Sequence, residues 1–159
     1  MTTTPPRWAV VAAHLVLLVT LPSGLWRIAL VAGVPLGLRV GDADVGGDAV
    51  YIVGLSVVSE ALALLTLGLV RPWGERVPRW VPLLGGRRVA SWAATGPAAA
   101  GAVALAVIWG FAFRDFPDFG LVAFSHPAGH VLLVACYLPV LLWAPLLAAV
   151  TWSYHRRRC

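Results

Sequence analysis

Lysine, asparagine and glutamine are missing from the 159 residues altogether, and all twelve basic residues are arginine, beside abundant alanine, valine, glycine and proline. This pattern reads as the codon bias of a high-GC bacterial genome and carries no mechanism. Charge is scarce too. Only 12% of the residues are charged against 60% hydrophobic, and the mean hydropathy is +0.84. Such a balance excludes an ordinary soluble domain and implies one integral membrane domain. Cysteine is limited to Cys136, inside an apolar run, and Cys159, beside an arginine cluster. The two fall at different depths, so no disulfide framework is implied. No nucleotide loop, nucleophile elbow, zinc signature or heptad seam occurs, and no cofactor is indicated. The net charge of +5 would suit nucleic acid, but the arginines flank apolar runs as the positive-inside rule expects. The expected partners are therefore membrane lipids and not nucleic acid.

What is present is four long apolar runs, at about 8–31, 50–70, 91–113 and 129–152. A helix that crosses a bilayer needs about 20 apolar residues, so the predicted fold is an all-α bundle of four transmembrane helices, packed in sequence order. No small-x-small cleavage site follows the first run, which reads as an uncleaved span. Arg7, Arg71, Arg76, Arg79, Arg87, Arg88, Arg156, Arg157 and Arg158 sort to one side. Arg39 and Arg114 fall on the other, with Asp42, Asp44, Asp48, Asp115 and Asp118. This bias predicts a multi-pass protein of the bacterial inner membrane with both termini cytoplasmic. Pro22 in the first span, and Pro139 and Pro145 in the fourth, predict kinks there. Most tryptophans read as interfacial anchors, Trp8, Trp73, Trp80, Trp92 and Trp152 at the inner boundary and Trp26 and Trp109 at the outer one.

The second run, VYIVGLSVVSEALALLTLGLV, contains a single carboxylate, Glu60. A charge at bilayer depth costs roughly 2.5–3.5 kcal/mol on insertion scales, so such a group is a functional candidate that needs a partner. Counting residues from the outer boundary puts Glu60, Arg27, Trp109 and Tyr137 in one half of the bundle, where they could line a cavity with Trp26, Tyr51 and His130. Ser56 and Ser59, on the preceding turn of the same helix, are candidate hydrogen-bond donors to the carboxyl. If Arg27 reaches Glu60, the pair is ionised and structural; if it does not, desolvation favours a neutral acid able to donate a proton. The first case describes a non-enzymatic membrane subunit or a small proton-coupled transporter. The second describes a pocket for an apolar, isoprenoid- or sterol-like ligand, in which Glu60 acts as a general acid on an alkene or epoxide and aromatic faces stabilise the cation.

Other groups carry weaker signals. His126 and His130 are four apart after Ser125, a candidate N-cap, with Pro127 in the first turn; without a third ligand at fixed spacing they imply hydrogen bonding and not a metal site. The loop GDADVGGDAVY reads as a solvated turn, its minority reading a Mg²⁺ site for a diphosphate. The loop RPWGERVPRWVPLLGGRR should lie on the anionic leaflet, with docking of a partner protein as the alternative. Small residues in PAAAGAVALAVIWG permit close helix packing or a homodimer face.

The layout resembles the four-span EXPERA fold, the group of the emopamil-binding sterol isomerase and the sigma-2 receptor. The similar features are His14 and Pro22 in the first span, an acidic outer loop, Glu60 in the second span, and CYLPVLLWAP followed by WSYHRRR in the fourth. By analogy it also resembles small integral membrane terpene cyclases, which use intramembrane acids to generate carbocations. The resemblance implies an isomerase or cyclase with Glu60 as the acid. The chain departs from it in the first span, where the expected acid is absent and Arg27 stands nearby.

Overall fold

The computed structural model describes residues 4–36, 45–74, 86, 89–114, 124 and 126–158. The loop residues Arg39, Asp42, Asp44, Arg76, Arg79, Trp80, Arg87, Arg88, Asp115, Asp118 and Ser125, and Cys159, lie outside the described set. The elements are α1 (Arg7–Val31), α2 (Val45–Gly68), a 3-10 turn (Pro72–Gly74), α3 (Ser91–Ala112), α4 (Pro127–Tyr137), a second 3-10 segment (Leu138–Leu142) and α5 (Trp143–Arg158). By length and composition four stretches can cross a membrane: α1, Asp48–Gly68 of α2, α3, and the run Pro127–Arg158 made by α4, the 3-10 segment and α5. No strand occurs among the described residues. The protein is an all-α, multi-pass membrane bundle.

Helix boundaries follow local chemistry. α1 begins after Pro5-Pro6, and the Pro6 carbonyl accepts the Ala9 amide at 3.0 Å. It ends at Gly33, whose φ of +76° is a conformation that disfavours any residue with a Cβ. There the Val34 amide donates to Ala29 O at 3.0 Å and the Gly33 amide to Leu30 O at 3.1 Å, which is the Schellman arrangement. α1 stays helical through Pro22, and the expected kink finds no support. Hydroxyls on the turns around Pro22 donate to helix carbonyls, Thr20 to Val16 O and Leu17 O and Ser23 to Thr20 O, as serine and threonine do near prolines in membrane helices. In the fourth span the helix type changes to 3-10 over Leu138–Leu142, which includes Pro139, and returns to α at Trp143. This is a change of hydrogen-bond pattern, and it supports no bend. α4 starts with His126 in the N-cap position and Pro127 in its first turn.

α1 is the hub. Along its most apolar stretch 44% of residues are buried, against 6% for α3. Its small side chains Ala9, Ala12, Ala13 and Val16 form the core with Ala63 of α2 and with Val140, Trp143, Val150 and Tyr154 of the fourth span. Small residues let membrane helices approach closely, and close packing is what holds them where water supplies no hydrophobic drive. α1 packs against α2, α4 and α5, and α3 rests on α5. Packing in sequence order therefore holds at every seam but one, because α2 and α3 do not pack side by side. Large outward-facing side chains such as Leu18, Val50, Leu65 and Val103 are exposed, as expected of surfaces that meet lipid.

Candidate functional site

Ser56, Glu60 and Ala63 recur at helical spacing and give α2 one face toward α1. Across from Glu60 stand Thr20 and Gly24, one turn apart. Thr20 Oγ1 donates to Glu60 Oε2 at 3.2 Å. Glu60 Oε1 presses on the α1 backbone so closely that a Cβ built on Gly24 would stand 3.0 Å from it. Glycine leaves the carboxyl this room, and a Cβ here would require it to move by a few tenths of an ångström. Thr20 has one hydroxyl proton and three acceptors within reach, Val16 O at 3.2 Å, Leu17 O at 3.1 Å and Glu60 Oε2. The same geometry therefore suits two protonation states. An ionised Glu60 draws the Thr20 proton to itself, whereas a neutral Glu60 protonated on Oε2 donates to Thr20 and leaves that proton for the helix carbonyls.

Glu60 Oε1 is buried without a hydrogen-bond partner, and so is Arg27 Nε. Arg27 follows Thr20 by seven residues and Gly24 by three, which places all three on one face of α1. Glu60 and Arg27 nevertheless form no ion pair within 4.0 Å. Trp26 meets the Tyr137 ring edge-on at 5.7 Å and 82°, and Trp109 does so at 6.3 Å and 65°. Both indole Nε1 atoms are buried without partners. Three elements, α1, α3 and α4, thus gather Trp26, Arg27, Trp109 and Tyr137, with Glu60 one turn farther along α1 at Gly24.

Several expectations are corrected. Glu60 is eight residues from Gly68 and twelve from Asp48, the two ends of its span, or about 12 and 18 Å at 1.5 Å per residue. It lies near mid-depth, slightly toward the Arg71 end of its span, at Thr20 and Gly24 of α1. Ser56 and Ser59 do not serve it; their hydroxyls donate to Ile52 O at 2.9 Å and Leu55 O at 2.8 Å in their own helix. Tyr51 is 69% exposed and faces away from the cluster. His130 packs edge-on against Phe124 at 5.6 Å, seven residues and about 10 Å before Tyr137. Trp26, expected as an anchor, is 8% exposed and belongs to the interior, whereas Trp8, Trp92 and Trp152 do point outward. Thr20 and Gly24 were not foreseen. Their signal is a hydroxyl and a glycine one turn apart, opposite the one acid in the interior of a described span.

No three His, Cys, Asp or Glu side chains converge among the described residues. His14 Nδ1 lies 2.7 Å from Val10 O on its own helix. A separate apolar groove of about 450 Å³ runs between α2 and α3, lined by Leu62, Leu65 and Leu69 on one side and Ala98 and Gly101 on the other, over Trp143. It lies on the flank of α2 opposite Glu60, so it is not the cavity expected around that residue. No family model, curated protein or solved structure matches the chain.

Proposed function

We propose that this protein binds an isoprenoid- or sterol-like lipid with one polar group, which is held between Glu60 and Arg27 while the apolar body lies against Trp26, Trp109 and Tyr137. The observation that carries this reading is that Glu60 Oε1 and Arg27 Nε are both buried, both unpartnered and not bonded to each other. A buried polar group without a partner costs about 1–3 kcal/mol, more if charged. A ligand hydroxyl removes both penalties, because it donates to Oε1 and accepts from the Nε proton. In its setting the protein is a bacterial inner-membrane protein with the Arg7 and Arg156–Arg158 end cytoplasmic, the orientation that the arginine bias favours.

The sharper form of this reading is acid catalysis, in line with the resemblance to sterol isomerases and terpene cyclases. In the tautomer in which Thr20 still donates to Oε2, a neutral Glu60 carries its proton on Oε1. Transfer of that proton to an alkene carbon gives a carbocation and a Glu60 carboxylate. Return of a proton from the adjacent carbon to the carboxylate completes an isomerisation. Ring faces of Trp26, Trp109 and Tyr137 stabilise the cation, and Arg27 opposes it, so the pocket favours binding over turnover.

Glu60→Gln tests the reading. It keeps size and shape but removes the acid, and it should weaken binding of an isoprenoid or sterol alcohol about tenfold or more, as the loss of a hydrogen bond to a charged group does, with the folded yield unchanged. Unaltered binding by this variant would refute it. The Thr20–Glu60 bond favours a second reading, in which Glu60 ties α1 to α2 in a non-enzymatic subunit or a small proton-coupled transporter. In that case no lipid binding depends on Glu60.

A further inference from the structure

Thr20 reaches Glu60 from a position that is itself closely held. β-Branching stiffens χ1, and a threonine hydroxyl in a helix settles against the carbonyls three and four residues back. Thr20 does so, with Oγ1 3.1 Å from Leu17 O and 3.2 Å from Val16 O. Its own carbonyl accepts the Ser23 hydroxyl at 2.8 Å, and the residue is only 1% exposed. The Thr20 side chain is therefore a fixed post on α1, turned toward α2.

Glu60 has no such restraint of its own. The last torsion of a glutamate side chain is broad, so the carboxyl plane turns unless a partner holds it. Among the described residues Thr20 is its only hydrogen-bond partner, through Oε2 at 3.2 Å. The nearest hydroxyls on α2, Ser56 and Ser59, are engaged with carbonyls of their own helix. Oε1 has no partner, and on its side stands Gly24, which lets it approach α1 closely. One carboxyl oxygen is thus tied to the protein, and the other is left for a ligand to meet.

We infer that Thr20 is the positioning residue of this site: by holding Oε2 it presents Oε1 to the ligand, and so makes the site selective for an isoprenoid alcohol over the corresponding methyl ether. The inference rests on the lipid-binding reading above. An alcohol donates to Oε1 and accepts from Arg27 Nε, whereas the ether can only accept. The preference for the alcohol therefore measures the bond to Oε1. The test is equilibrium binding of tritiated geranylgeraniol and of its methyl ether to the whole protein in phosphatidylcholine nanodiscs, corrected with empty discs. The unaltered protein should prefer the alcohol about tenfold or more, the effect of one hydrogen bond to a charged group. Thr20→Val keeps the shape and removes the donor, and it should cut that preference about threefold, the average effect of one interhelical hydrogen bond in a membrane. Thr20→Ser should restore the preference, and Thr20→Ala should repeat the loss if the valine variant does not fold. In a Glu60→Gln background the same substitutions should change nothing further, because Thr20 acts through the carboxyl. A threonine that only holds the helices together would weaken both ligands alike and leave their ratio unchanged; that result would overturn the inference and leave the lipid reading intact. Binding of neither ligand, or a preference as strong in Glu60→Gln as in the unaltered protein, would overturn the lipid reading itself.

Discussion

Adding one methyl group at Gly24 should reverse its effect on stability according to what stands at position 60. The Cβ of Gly24→Ala would lie 3.0 Å from Glu60 Oε1 and 3.8 Å from its carboxyl carbon. Ordinary contact begins near 3.4 Å, so the carboxyl must retreat by about 0.4 Å. Thr20 Oγ1 and Glu60 Oε2 are already 3.2 Å apart, and a retreat of that size carries the pair to about 3.6 Å, where it is no longer a hydrogen bond. An interhelical bond of this kind in a membrane contributes about 0.6 kcal/mol on average and up to about 1.7. Against that loss stands the gain from alanine over glycine in a helix, up to about 1 kcal/mol. In the unaltered background the two nearly cancel or leave a small destabilisation. In a Glu60→Ala background the obstruction is gone, and Gly24→Ala should stabilise by up to about 1 kcal/mol. The assay is reversible unfolding in bicelles of the four proteins in the cycle, which isolates the pairwise energy. An effect of the same sign and size in both backgrounds would refute the contact.

Two further predictions follow from the same geometry. A double-mutant cycle of Glu60→Gln and Arg27→Met, measured by the same unfolding assay, should show coupling below about 0.5 kcal/mol, the level of independent sites, since the two groups form no ion pair within 4.0 Å; coupling of several kcal/mol would reinstate the structural pair. Gly33→Ala should destabilise α1 by about 1–2 kcal/mol, the penalty of a Cβ in the left-handed region, given φ of +76° there, and amide exchange at Gly33 and Val34 should quicken if the Schellman turn opens.

The four spans were legible because hydropathy marks a membrane helix by length alone. The faces were not, and the reason is physical. A helix surrounded by lipid and other helices is apolar all round, so no amphipathic stripe tells which side is inward. Tyr51 and Tyr137 look alike as tyrosines near a boundary, yet one faces outward and the other is at the centre of the aromatic cluster. Ser56 and Ser59 stood at the right spacing to serve Glu60, but an intrahelical carbonyl four residues back was nearer for each. Residue counting set Glu60 ten residues into a span expected at 50–70, and the span runs from Asp48 to Gly68, which moves the residue by only two positions relative to its ends. The open seam between α2 and α3 has no signature in the sequence, since adjacency of consecutive spans is the ordinary expectation.

Two arginines of α5 clasp that seam, Arg157 at Leu69 O and Arg158 at Val89 O, with a consequence for the order in which the bundle is assembled. Leu69 O is separated from its donor Arg157 by 88 residues, and Val89 O from Arg158 by 69. As the chain enters the membrane from its N-terminus, α1 and α2 can pair early through neighbouring residues, and α3 can enter before either clasp exists. The spacing between α2 and α3 is then fixed from a distance by the last turn of α5. Until that turn arrives, the two helices are free to part, and the groove between them takes its final width only when the fourth span is in place.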